Sequence, residues 1–197
     1  MSKIFLQRES HTTATRHTSL SVKDADDDQV LVGSDYPLPT RSNGALRLAE
    51  GNLFSVGGVN LNSDKLADSG SMYIAIAFAS NVYAHIYVDG FCGGDAEGFF
   101  YEAAQVSGGT SLTPQRLNRS SSLNSNSASL LNPTVTTAGN LIGSYLLFGG
   151  VGKKAIGSDQ TSPAYILKPL TTYLFELKNV SGSAQAAEMR LTWYEET

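Results

Sequence analysis

Histidine, clustered carboxylate and glycine-lysine segments are the parts of this 197-residue chain with side chains suited to chemistry. His11 and His17 lie near the N-terminus and His85 lies in an alternating segment, so no two of the three share the spacing of a metal site on one element. His85 alternates with Tyr83 and Tyr87, a pattern that reads as a polar, aromatic outer face meeting solvent or a subunit. Asp24, Asp26, Asp27 and Asp28 have the alternating hard oxygens of a calcium loop. Counted from Asp24, however, Gln29 takes the place of the turn glycine and Asp35 that of the bidentate acid. The run therefore reads as a solvated or partner-facing segment.

Gly149-Gly150-Val151-Gly152-Lys153-Lys154 resembles a phosphate-cradling loop, in which backbone N–H groups and a lysine meet phosphate oxygens. Leu147 stands at the first glycine position and Lys154 replaces the magnesium-binding hydroxyl, so the match fails twice. A dinucleotide reading through Gly150, Gly152 and Ala155 needs a following helix, which residues 161–168 do not offer. Nucleophilic catalysis finds no Gly-x-Ser-x-Gly elbow. Asp89, Asp95, Glu97 and Glu102 qualify for paired-carboxylate work by sequence proximity alone. Cys92 is the only cysteine, which excludes an internal disulfide, and its neighbours Gly90, Gly93 and Gly94 suggest a small half-buried side chain at a turn. We therefore expect a non-enzymatic protein with no catalytic residue, no cofactor and no metal.

Composition narrows the partners. Net charge is −4 and no basic cluster exceeds Lys153-Lys154, which speaks against nucleic acid. No apolar run approaches the length of a membrane span. The N-terminal residues lack the pattern of a secretory signal, so synthesis and assembly in a host cytoplasm are expected. Charged residues make up 16%, against about 25% on average. A low charge with many small polar residues suits a turn-rich β fold whose surface is largely buried against neighbours.

The elements that must position these residues are strands. Residues 1–48 lack sustained periodicity, and Pro37, Pro39 and the aspartate run interrupt regular structure. They read as an extended N-terminal arm, with a short strand near 29–32, that a partner orders. At about 3.3 Å per residue such an arm reaches on the order of 150 Å. The globular domain, 49–197, offers strands at 52–56, 71–79, 82–89, 98–106, 130–136, 141–148 and 164–168, with a Ser/Asn/Gly/Thr-rich loop at 107–129. In 71–79 both faces are apolar, which places that strand between its own sandwich and a second surface, either a loop or another subunit. Ser80-Asn81 has the length of a hairpin turn. Eight to ten short strands without an amphipathic helix or repeat predict an all-β, two-sheet antiparallel β-sandwich, best matched by a jelly roll.

The final thirty residues alternate most clearly. Tyr173, Phe175 and Leu177 share one face, and Ala187, Met189, Leu191 and Trp193 share another beyond the Asn179-Val180-Ser181-Gly182-Ser183 turn, as in a long β-hairpin. The phrase Leu167-Lys168-Pro169, Thr171-Thr172-Tyr173-Leu174, Asn179, Ser181-Gly182-Ser183-Ala184 and the closing Leu191, Trp193-Tyr194-Glu195 resemble the C-terminal hairpin of small virion proteins of tailed bacteriophages. The likeness extends more loosely through Leu117-Asn118-Arg119-Ser120 and Thr134-Val135-Thr136-Thr137-Ala138-Gly139, covering roughly residues 70–197. Leu170 departs from a common asparagine and Glu176 from a common basic residue. The resemblance implies a virion structural protein: a capsid decoration or cement, head-fibre or tail-associated component. A homotrimer bound to the major capsid protein or another virion component is the expectation that follows. The alternative is a fibre or tail-associated carbohydrate-binding sandwich using Tyr83, Tyr87, Tyr101 or Trp193 as stacking platforms.

Overall fold

The computed structural model describes residues 4–7, 19–23, 29–32, 43–60, 63–148 and 165–196, with side chains from Arg47 onward. The chain divides into two compact units, Met1–Ser42 and Asn43–Thr197. In the first, β1 (Ile4–Gln7), β2 (Ser19–Lys23) and β3 (Gln29–Val32) form an antiparallel meander in the order β1-β2-β3. The sequence suggests only the last of these strands, because four or five residues are too few for a period of two to stand out. The aspartate run 24–28 and the glycine-lysine loop 149–154 lie outside the described residues.

The second unit opens with helix α1 (Asn43–Glu50), which is followed by β4 (Leu53–Asn60), β5 (Ser71–Phe78), β6 (Tyr83–Cys92) and β7 (Ala96–Glu102). Next come the short strands β8 (Gln105–Ser107), β9 (Thr110–Leu112), β10 (Gln115–Arg116), β11 (Ser127–Leu131) and β12 (Thr134–Thr137). The chain closes with β13 (Asn140–Leu147), β14 (Tyr165–Leu167), β15 (Thr172–Asn179) and β16 (Ala187–Glu196). One sheet runs β10-β4-β16-β6-β14 and the other β13-β7-β15-β5-β11-β9. Leaving aside the insertion between β7 and β13, the chain fills two four-stranded sheets, β4-β16-β6-β14 and β5-β15-β7-β13. This is the strand order of a jelly roll, as the sequence predicts.

Pairing differs from the sequence expectation in two places. β15 pairs with β5 and β7, whereas β16 pairs with β4 and β6, so the C-terminal strands form an arch between sheets and not a hairpin. The 80–81 connection likewise carries the chain from β5 in one sheet to β6 in the other, with Asn81 at φ 65°. The reason is geometric: a period of two fixes which face a strand buries, and both sheets of a sandwich bury an apolar face.

The core lies between those faces. Trp193 is fully buried there, with the Phe54 and Phe78 rings centred 6.1 and 5.9 Å away. Phe100 and Phe175 stack at 4.1 Å at another point of the same core. Met72, Ile74, Ile76 and Phe78 of β5 join this cluster. The opposite face of β5 meets a segment of its own chain: Ala75 and Leu174 pack with Ala104, Val106, Val135 and Ala138 around the antiparallel β8–β12 pair. The expected strand 98–106 breaks at Ala103, φ 63°, and 130–136 breaks at Asn132, φ 47°, which lets β8 and β12 leave the sheet and fold over it.

Two local conformations make direct predictions. Tyr145 lays its ring over Gly98, and a Cβ built there would overlap the ring. Gly98→Ala should therefore cost about 1–3 kcal/mol by overpacking, and Gly98→Ala combined with Tyr145→Leu should recover most of it in a thermal-denaturation double-mutant cycle. Leu170, at φ 54° with its side chain 77% exposed, holds a left-handed position without burying anything in return. Leu170→Asn should raise stability by roughly 0.5–1 kcal/mol, a Tm gain of about 2–4 °C; an unchanged or lower Tm would contradict the strain.

Candidate functional site

The jelly roll separates the residues that sequence proximity groups together. Asp89 lines a groove with outward-facing residues of the β4-β16-β6 sheet, whereas Glu97 lines a cavity on the outer side of the β7-β13 sheet. The two carboxylates therefore share no cleft. Glu102, at the end of β7, accepts a bond from Lys168 Nζ at 2.8 Å and from the Tyr173 hydroxyl at 3.1 Å. Asp95 sits in the turn before β7, where its carbonyl accepts the Val180 N–H. Cys92 is buried in the core. Among the described residues, no three His, Cys, Asp or Glu side chains group closely enough to hold a metal ion.

His85 stands on the outer face, as its alternation predicts. Its ring stacks on Tyr194 at 4.4 Å and 12°, and its Nε2 lies 3.2 Å from Glu196 Oε2. Arg47, in the last turn of α1, places its guanidinium 4.8 Å from the Tyr194 ring centre and donates to Glu196 at 2.5 Å. Arg47 also donates to Glu50 at 3.1 Å. Cation–π contact and a charge-assisted bond thus fasten α1 to the end of β16. The sequence gives no hint of this clasp, because an eight-residue helix is too short to show a periodic face.

Neighbouring polar groups also act as fasteners. Glu195, pointing to the other face from Glu196, is buried and accepts bonds from Trp193 Nε1, Ser125 Oγ and both the backbone and side-chain N–H groups of Asn126. It ties the insertion to the sandwich. Asn179 is fully buried and donates to the carbonyls of Leu66, Ala67 and Ser183, while its Oδ1 accepts the Ser181 N–H. The asparagine and serines of the Asn-x-Ser-Gly-Ser phrase thereby form the turn that carries the chain between sheets. Glu176 accepts from Ser71 Oγ, Tyr73 and Tyr101. Burial first, and then the Glu176 charge, pushes the Tyr101 phenol up; burial is also the main cause of the rise at Tyr73.

Of the four aromatic platforms, Trp193 lies in the core and Tyr101 is tied to Glu176, while Tyr83 is 51% exposed and Tyr87 half-buried. Tyr87 is cross-strand from Thr192, which lines a groove of about 440 Å³ with Ser55, Gln115, Asp89 and Arg190. On the opposite sheet, Leu141, Leu146 and Phe148 are exposed along and just beyond β13. Phe99, Glu97 and Ser144 join Leu146 and Phe148 around a cavity of about 660 Å³. Exposed large apolar residues on the outer side of a sheet, rimmed by polar ones, have the chemistry of a docking surface. Comparisons with family models, with characterised proteins and with solved structures each return no match.

The Glu102–Lys168 pair has a definite pH signature. Lys168, then Tyr173, holds the Glu102 carboxyl below its ordinary value. Its contribution is therefore full above the unfolded carboxylate range and is lost as pH falls through the lowered folded value. Lys168 is raised by the same pair, so its share is present below the ordinary lysine value and lost as pH climbs through the raised one. Glu102→Gln should lower stability at neutral pH by less than about 1 kcal/mol, given the partial exposure of the pair. That deficit should close as pH falls through the lowered Glu102 value in acid-unfolding curves; a deficit of constant size at all pH values would assign the loss to packing.

Proposed function

We propose that this chain is a non-enzymatic structural protein of a tailed-phage virion, a capsid decoration or cement protein. Its sandwich self-associates, as a homotrimer, and its N-terminal segment grips neighbouring capsid subunits. The observation that carries the reading is the exposure of large apolar side chains on both outer faces of one sandwich. Ile166 and Tyr83 mark the first sheet, and Leu141, Leu146 and Phe148 mark the second. A particle-reinforcing protein needs two such surfaces, one for its own copies and one for a different neighbour. The C-terminal resemblance supports the same reading, since Leu167, Asn179 and Trp193 of that phrase are buried framework residues. Many equivalent copies then multiply a modest affinity at each site. The alternative, a carbohydrate-binding sandwich of a fibre or tail, retains Tyr83 and Tyr87 as platforms and loses Trp193 to the core.

The compact-unit boundary defines the test. A chain beginning at Asn43 keeps α1 and its Arg47 clasp. It should remain a folded oligomer in sedimentation equilibrium but fail to co-sediment with capsids of the phage that encodes it. Capsid binding equal to that of the full chain would overturn the role of the N-terminal segment, and a full-length monomer that joins no particle would overturn the function.

A further inference from the structure

Among the described residues β13 has no strand on the side away from β7, and this edge differs from the other edges of the sandwich. β9, β10 and β14, which end the sheets elsewhere, have three, two and three residues. β13 has eight and contains neither a charge nor a proline. Short length, charge, proline and bulges are the usual protections against strand addition, and β13 has only a bulge, at its start. A register shift between Leu141 and Gly143 turns its beginning, after which Gly143 to Leu147 run in regular register along β7. The row of N–H and C=O groups on the side away from β7 offers a template for one more strand.

The side chains around that edge specify what such a strand carries. Tyr145 and Leu147 face the sandwich core, Leu147 within it and Tyr145 packed against it. An added strand therefore continues the core with apolar residues on its inward face. On the outward face, Leu146 is 61% and Phe148 70% exposed, and with Phe99 they wall the cavity that also holds Glu97. Glu97 has no ion-pair partner among the described residues; Lys178 stands opposite it on β15, on the side away from β13. A long cationic side chain would lay its alkyl stem along Leu146 and Phe148 and bring its charge to Glu97, beside the Phe99 ring. The carboxylate and the apolar walls thus ask for a strand alternating between apolar and basic residues.

We propose that β13 docks an extended, alternating apolar-basic segment of a partner protein by strand addition, with Glu97, Leu146 and Phe148 reading its basic face. The assignment rests on the structural-protein reading above and names the kind of capsid or virion segment held at this face.

A fluorescein-labelled ten-residue peptide of alternating lysine and valine tests it on the full-length protein, with alternating glutamate and valine as the control. Fluorescence anisotropy should show the lysine peptide binding at least about tenfold more tightly than the glutamate peptide, a difference of about 1.4 kcal/mol. Amide hydrogen exchange should slow at 140–147 and not on the opposite sheet. Leu146→Glu and Phe148→Glu, both at exposed positions that leave the fold intact by circular dichroism, should weaken binding at least about tenfold, and Glu97→Lys should reverse the preference between peptides.

Equal binding of both peptides, or binding that survives Leu146→Glu, overturns the proposal. Protection, in the peptide-free monomer, of the β13 amides that point away from β7 means that the chain covers its own edge, and protection of those amides that grows with protein concentration means that a second copy does; either result also overturns it. A chain that still joins capsids while failing every peptide arm leaves the structural function standing and moves its docking surface elsewhere.

Discussion

The structure depends on one interface, the burial of two apolar sheet faces against each other. Trp193, Phe54, Phe78, Phe100 and Phe175 fill it, and strands from both sheets contribute. At roughly 25 cal/mol per Å² of apolar area buried, aromatic side chains of this size are the largest single contributors to such a core. Everything polar is arranged around that contact. Asn179 satisfies three carbonyls at the arch between the sheets, and Glu195 receives four donor groups where the insertion meets β16. Leaving such groups unpaired in a buried setting would cost about as much as several core contacts contribute.

Faces were legible in the sequence and partners were not. The alternation of Tyr173, Phe175 and Leu177, and of Met189, Leu191 and Trp193, marks inward positions that the structure buries. The same alternation would serve a hairpin or an arch, so it left open which strands exchange hydrogen bonds. The break at Ala103 was hidden because alanine does not announce a left-handed backbone, whereas Asn132, before Pro133, is a residue type that adopts one readily. The two-sided apolar strand 71–79 correctly signalled a second covering layer. That the cover is the β8–β12 pair, two strands far apart in the chain, required knowing where the chain turns back on itself.

Chemistry was legible mainly by what failed to assemble. Asp89 and Glu97 are eight positions apart in the chain, yet they lie on opposite sheets with the core between them. Glu195 and Glu196 are adjacent, and the pleat sends them to opposite faces, one to a buried latch and one to the Arg47–His85 clasp. Of the four carboxylates grouped by sequence proximity, Glu102 fastens the end of β7 to Lys168 and Tyr173. Among the described residues, large apolar side chains are exposed near Tyr83 and Ile166 on one sheet and along β13 on the other.

The position of the last two strands has a consequence for how the chain is made. β15 lies between β5 and β7, and β16 between β4 and β6, so the centre of each sheet is supplied by the final residues. While those residues are still inside the ribosome, the emerging strands can pair only with the wrong neighbours or wait open. Closure consequently waits for both strands, with contacts of long sequence separation forming late. A chain lacking β15 and β16 would leave both sheets open at their centres.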